Sequence, residues 1–457
     1  MRTRLHIRHL GIAQLTTLAV VGVGLGLIAG FMFMSVVDTL LQRRAGYPVQ
    51  DRQLPGSEPS LTEPSDANKF GISASNAGLA IASSGAYPRG GSSIHTLCTS
   101  NGSPYLNYQT RIMYGTYIMV QAATGGTQHV AFTRILHRTG PDNLMTEVPT
   151  FRAEPLTPAC DTWCDFPVSD RPNAVRQFFD AAARQPSLIQ APWLLMIETD
   201  YVWMKPLQAP PAEDRSAASL AFPFGYIDPG YPAIEGVMRK MYPVEKGPLS
   251  DVPGSGPAPT LMRVDEWIKV TPEWERLTAH IEADPKSKEQ LGWVREMYAF
   301  SVAIALQGIK LDLAQPPLNP LITQPPADAN LGQAAMFHYT WGTVFQNSSG
   351  AKIWEFDKRV YTDQSMVIST PPSLIRVSLV VIIITHIRIK PSLITASFLL
   401  QPPAVSLPPP YDPQYKLQDG KPVTQELYDT LTAMFKQMND AINSLSPLTP
   451  ANTASAA

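Results

Sequence analysis

Five apolar residues, Trp193-Leu-Leu-Met-Ile197, run directly into Glu198-Thr-Asp200, and Tyr201-Val-Trp-Met204 follows at once. A short, unbroken apolar run of this kind fits a strand buried on both faces, as in a parallel sheet covered by helices. Carboxylates are rarely buried without a partner, so the two acids mark the point where the strand emerges. In open α/β sheets, ligands bind outside the carboxyl ends of the strands. The stretch therefore asks for a helix-covered, mostly parallel sheet with an acidic site at one edge.

The flanking sequence supplies the other parts of such a sheet. Ser93–Ser100 is short and β-branched in part, ends in a polar turn and reads as a strand, and His129–Arg138 reads as a second. Tyr105–Ala123 carries apolar residues at near-helical spacing. Arg171–Ala183 reads as a helix with Asp170 as its N-cap and Pro172 in its first turn. Strands alternating with helices give an α/β class with helices on both faces of the sheet. With 44% hydrophobic and 16% charged residues, the 457-residue chain has ample material for a core. Its net charge of −2 offers no broad basic field, which argues against a nucleic-acid partner. Three cysteines are too few for a disulfide framework, and no CxxC pair points to zinc. Cys160 and Cys164 are close enough to bridge in an oxidising compartment, which leaves Cys98 as a buried thiol.

No charged residue lies between Leu10 and Val37, with Arg2, Arg4 and Arg8 before this run and Asp38, Arg43 and Arg44 after it. A bilayer core takes roughly 20 apolar residues, so the run is long enough to span it. The charge bias places the short N-terminus in the cytoplasm and the bulk of the chain in a lumen or outside. The alternative is a cleaved signal peptide. Residues from about 46 to 91 are rich in Pro, Ser, Gly and Ala and read as a flexible stem. The expected organisation is a cytoplasmic tail (1–9), a transmembrane signal anchor (10–37), a stem (38–92), a lumenal domain (93–363), an atypical hydrophobic segment (364–404) and a C-terminal tail with a helix (405–457). Two glycosylation sequons, at Asn101 and Asn347, agree weakly with lumenal exposure.

Glu198 and Asp200, at the edge of a buried strand, can hold a divalent metal through hard oxygen ligands. The metal can then grip a diphosphate and stabilise a departing nucleoside diphosphate. Many nucleotide-sugar glycosyltransferases use such an acidic triplet. The bland alternative is a solvated strand end carrying surface acids.

Several blocks in order narrow the choice: "SPYLNYQTRIMYGTY", "FTRILHRTGPDNLMTEVPTF", "LLMIETDYVWMKPL", "AFPFGYI", "MRKMYPVEKGP", "GWVREMYAFSVAIALQG", "FHYTWG" and "FDKR". Over roughly residues 94–361 the chain resembles the plant and green-algal peptidyl hydroxyproline O-arabinosyltransferases, with the peptidyl serine galactosyltransferases as a more distant comparison. The resemblance implies a GT-A-like (Rossmann-like) fold, a UDP-sugar donor, Mn²⁺ and a hydroxyproline-rich polypeptide acceptor. It implies Asp200, Glu198 and His338 of "FHYTWG" as metal ligands, with Glu198 alternatively reaching the donor. An imidazole nitrogen beside carboxylate oxygens suits Mn²⁺. Taken alone, His338 reads as a packed core histidine.

Glu296, on a helix start in "LGWVREMYAF", is the candidate to orient or deprotonate the acceptor hydroxyl or to stabilise an oxocarbenium-like centre. The alternative is a helix-surface acid paired with Arg295. Asp265 follows the Gly/Pro-rich loop of "GSGPAPTLMRVDEW" and is a second catalytic candidate, against an ordinary turn before a helix. Arg171 and Asn173 open the helix before the acidic strand and are candidates to touch the donor, with a capping and packing role also open for Asn173. The implied reaction is transfer of arabinofuranose with retention. The alternatives are galactose transfer to serine or hydroxyproline, or a catalytically silent lectin-like scaffold. The implied location is the Golgi membrane, single-pass type II with a lumenal domain, or the endoplasmic reticulum.

The resemblance breaks between about Ser365 and Ala404. This stretch holds no acidic residue, and its longest charge-free core, Val377–Ile387, is too short to span a membrane. It reads as an insertion or as untranslated sequence carried into the chain, against a genuine β-rich or membrane-associated insert.

Overall fold

The computed structural model describes residues 87–362, apart from 89, 163 and 341, together with 404–445 and 448. These belong to the second of two units into which the chain divides, residues 72–457. The expected anchor at 10–37, the stem up to residue 86 and residues 364–403 of the atypical segment lie outside the described residues. No described helix is long and apolar enough to cross a membrane.

The main sheet is built from β1 (Ile94–Ser100), β2 (His129–His137), β3 (Thr150–Ala153), β4 (Trp193–Ile197), β6 (Ser219–Ala221), β7 (Thr260–Arg263) and β8 (Leu311–Asp312). Their order across the sheet is β3-β2-β1-β4-β7-β6-β8. The first four strands are parallel, with Ile94 opposite both His129 and Trp193. Both β1 and β4 are buried along their whole length, and in β4 a continuous apolar run meets this burial on both faces.

The other half of the sheet departs from the mostly parallel expectation. β7 runs antiparallel to both β4 and β6, and only β8 restores a parallel pair. The sheet is therefore parallel on one side of β4 and mixed on the other.

Among the described residues, seven α-helices accompany it: α1 (Pro104–Ala123), α2 (Arg171–Arg184), α3 (Glu235–Met241), α4 (Val264–Ala283), α5 (Pro285–Leu291), α6 (Arg295–Leu306) and α7 (Gln425–Ser444). Ser103 caps α1 by accepting the Leu106 N–H, and Pro104 opens it where no backbone donor is needed. α2, α4 and α6 pack in series, and α7 packs on α1. Gly115 makes the second contact possible: a Cβ there would lie 3.0 Å from the Cβ of Ala441. Among the described residues, two small sheets lie beside the main one. One is β5 (Tyr201–Trp203), β10 (Met336–His338) and β9 (Ile322–Thr323); the other is β12 (Lys352–Phe356), β11 (Thr343–Gln346) and β13 (Lys416–Leu417).

Two local expectations are corrected. Asp170 does not cap α2 with its side chain, because a 3-10 turn over Pro167–Asp170 runs straight into the helix and leaves Asp170 itself helical. Its carboxylate accepts the Thr157 N–H instead, at 3.3 Å. Asn101 of the first sequon is buried, with its side chain turned inward to accept the Ser103 N–H. Cys160 and Cys164 form a disulfide, and Cys98 is a buried free thiol.

Candidate active site

β4 ends at Ile197 and β5 begins at Tyr201, so Glu198, Thr199 and Asp200 form the turn between the main sheet and the first small sheet. β10 pairs antiparallel with β5 and sets His338 opposite Tyr201. This register brings His338 beside Asp200 across 138 residues of sequence, with Nε2 to Oδ2 at 3.2 Å. Ligand atoms of Glu198, Asp200 and His338 all lie within 4.8 Å of one another.

Asp200 is 5% exposed and its Oδ1 is buried with no hydrogen-bond partner. A buried carboxylate oxygen left open in this way is costly unless something fills it. Together with an imidazole nitrogen and a second carboxylate, it fits a divalent cation. Gln324 buttresses the other side of the ring, its Nε2 lying 3.1 Å from His338 Nδ1 and donating to Thr340 Oγ1 at 2.8 Å. With that amide orientation Nδ1 accepts and the Nε2–H donates to Asp200. Turning the amide over would present its oxygen to an Nδ1–H and free Nε2 for a metal, the usual support for a ligating histidine.

Arg171, buried at the start of α2, ties the cluster to a second acid. It donates to Glu198 Oε1 at 2.7 Å and lies 3.5 Å from Glu296 Oε2. Glu296 is 2% exposed in the first turn of α6, and its Oε1 has no partner. Burial pushes its carboxyl up to about 7; Glu198 adds to the rise and Arg171 opposes it. Asp200 moves the other way. Burial disfavours its charge, but Lys358 and His338 outweigh that and hold it well below the usual carboxylate range.

Lys358 carries no expectation from the sequence, although it lies in the "FDKR" block. Its ammonium donates to the same Asp200 oxygen that His338 reaches. It arrives through the β11–β12 hairpin, followed by a 3-10 turn over Lys358–Val360. The Tyr105 phenol, at the start of α1, also lies beside Lys358.

Glu198, Asp200, His338, Arg171 and Glu296 are thus brought together, whereas Asp265 and Asn173 are not. By sequence, Asp265 follows a loop expected at the site. The loop 254–259 does lie at the carboxyl edge of β4, since Thr260 pairs with Met196. The chain then crosses the sheet as β7, so that Arg263 lies opposite Trp193 at the far end of β4. Asp265 is consequently at the opposite edge, where it pairs with Arg215 at 2.9 Å. Asn173 faces away from the acids, donating to Glu275 Oε1 at 2.6 Å and accepting from Gln177 Nε2 at 2.7 Å. It joins α2 to α4.

Residues 94–313 match the model of the hydroxyproline O-arabinosyltransferase family N-terminal domain. Hydroxyproline O-arabinosyltransferase 1 of Arabidopsis thaliana is 35% identical over 290 residues, covering 60% of this chain and 75% of that protein. Hydroxyproline O-arabinosyltransferase NOD3 of Pisum sativum is 36% identical over 287 residues, covering 62% and 79%. Hydroxyproline O-arabinosyltransferase PLENTY of Lotus japonicus is 32% identical over 343 residues, covering 73% and 83%. Among solved structures, a glycosyltransferase involved in glycosylation of the major capsid of PBCV-1 superposes with a TM-score of 0.29 at 12% identity, over 54% of this chain and 93% of that one. That superposition is too loose to bear on the assignment.

Proposed function

Because the chain belongs to the hydroxyproline O-arabinosyltransferase family, we propose that it transfers arabinofuranose from UDP-arabinofuranose to peptidyl hydroxyproline in hydroxyproline-rich polypeptides. The observation that carries the mechanism is the convergence of Glu198, Asp200 and His338 at the carboxyl end of β4, with Arg171 joining them to Glu296. In this reading the fold is GT-A-like and the three ligands hold Mn²⁺. The ion, when bound, supplies positive charge to the diphosphate as the glycosidic bond to it breaks.

The chain's own residues do the rest. Arg171 fixes Glu198 by a charge-assisted hydrogen bond, and Gln324 sets the His338 ring. The bond from the sugar's anomeric carbon to the diphosphate oxygen breaks, with its electron pair leaving on the diphosphate. The hydroxyproline oxygen forms the new bond, and its proton passes to Glu296. A β-linked donor giving a β-linked product makes the transfer retaining.

A carboxyl near 7 suits a general base at neutral pH. Since Glu296 must be ionised to accept the proton, kcat/KM is expected to rise with pH through about 7 and then level off. Glu296→Gln is expected to lose about 10²–10⁴-fold in rate and, with it, that acidic limb. A wild-type profile that stays flat between about pH 5.5 and 8.5 contradicts the role.

The same reading makes the chain a type II Golgi membrane protein with its catalytic domain in the lumen. The Cys160–Cys164 disulfide supports an oxidising compartment. Digestion of the domain by protease added to sealed vesicles would contradict this topology.

The reaction is tested by incubating the protein with Mn²⁺, a hydroxyproline peptide, a serine peptide and a panel of UDP-sugars, then weighing the products. One pentose added to the hydroxyproline peptide is expected. Hexose addition to either peptide would point to a galactosyltransferase, and sugar binding without transfer to a lectin-like protein.

A further inference from the structure

We propose that Lys358 is a placeholder cation: it neutralises Asp200 while the site is empty, and yields that carboxylate to an incoming divalent ion, carrying its ammonium to the diphosphate that accompanies the ion. The inference rests on the metal reading above and adds an order of events to it.

Asp200 has two oxygens in contrasting states. Oδ1 is buried and open, whereas Oδ2 accepts from both His338 Nε2 and the Lys358 ammonium. A buried carboxylate without a counter-charge is strongly disfavoured, and Lys358, with a side chain only 13% exposed, provides one. A divalent ion bound by Asp200 would lie within a few ångströms of that ammonium. Two like charges that close, out of bulk water, repel strongly, so the ion and the ammonium compete for the carboxylate.

The backbone of Lys358 cannot simply withdraw. Asp357 caps the 3-10 turn by accepting the Arg359 N–H at 2.9 Å, and Tyr361 stacks on Tyr108 of α1 with ring centroids 4.1 Å apart. The four-carbon stem is the part free to move. An ammonium released there needs a new anion, and the diphosphate of a nucleotide sugar arrives with the ion. Ion and diphosphate should therefore bind cooperatively, each weak without the other.

The test measures Mn²⁺ affinity of the full-length protein by electron paramagnetic resonance of the free ion, without and with UDP. In the wild type, UDP is expected to tighten Mn²⁺ binding by about 5–150-fold, the usual range of coupling between two ligands. In Lys358→Met, which keeps the length of the stem, Mn²⁺ alone should bind more tightly than in the wild type, and the coupling to UDP should shrink. Mn²⁺ binding to Lys358→Met that is unchanged or weaker overturns the placeholder. So does a wild-type affinity that UDP leaves unaltered, a result that needs no variant to fold. Uptake of Mn²⁺ that ignores Lys358 defeats this inference alone; no uptake by the wild type even with UDP defeats the metal reading as well.

Discussion

Asp200→Asn is expected to transfer sugar about 10²–10³-fold more slowly than the wild type, the usual cost of removing one group that stabilises developing charge. The substitution keeps the size and hydrogen-bonding reach of the side chain but removes the charge that holds a cation against the diphosphate. It acts where three elements meet: the end of β4, the β10 strand carrying His338 and the turn carrying Lys358. Mn²⁺ affinity should fall along with the rate. Affinity for the hydroxyproline peptide should not, because the acceptor does not bind through the ion. His338→Ala is expected in the same range, with partial recovery at high Mn²⁺. Steady-state rates, with peptide binding measured alongside, check this. A folded Asp200→Asn protein working at the native rate would reduce Glu198 and Asp200 to strand-end acids.

Arg171→Met should be strongly destabilising. The guanidinium is buried between Glu198 and Glu296, and Glu296 is itself fully enclosed. Removing one partner from a buried ionic group typically costs about 3–5 kcal/mol, because the charges left behind have no compensation. The loss should depend on pH. Burial raises the Glu296 carboxyl from 4.5 to about 7, so the folded state holds the proton more tightly than the unfolded chain. Its ionisation therefore costs stability progressively as pH rises from the lower value through the upper one, and the cost is complete above about 7.

Without Arg171, which holds that carboxyl down, its folded value climbs further. The variant should then lose more stability at pH 8 than at pH 6. Adding Glu296→Gln should restore part of the loss and flatten the pH dependence, since the two residues are coupled. Urea denaturation at the two pH values measures both effects. A change within about 0.5 kcal/mol, as for an ordinary surface substitution, would show that the Arg171 bridge carries no weight.

What could be read from the chain followed from how strongly each segment was patterned. β4 is an apolar run, β1 and β2 are short segments rich in apolar and β-branched residues, and α1 and α2 have helical spacing, so they stand out before any packing is known. β7 does not, being four residues after a Gly/Pro-rich loop. Its antiparallel path is what carries Asp265 away from the site. Asp170 reads as a cap by its residue type, but the preceding 3-10 turn fixes a helical backbone there, which no local rule anticipates.

His338 reaches Asp200 through pairing of two three-residue strands, too short for a periodic signal, and only the resemblance pointed to it. Lys358 is a single lysine in an exposed-looking turn, with no spacing to distinguish it from a surface residue. The side chains assembled by long-range register were the ones the sequence concealed, whereas the acids at the end of a buried strand were visible from the outset.

Anomalous diffraction at the manganese edge, from crystals grown with Mn²⁺ and UDP, tests the metal centre most directly. One strong peak is expected in direct contact with Asp200 and His338, with Glu198 bonded to it or one water away, and with the diphosphate on its open side. A cluster without manganese density, in a protein that still transfers arabinose to hydroxyproline in excess EDTA, would contradict it.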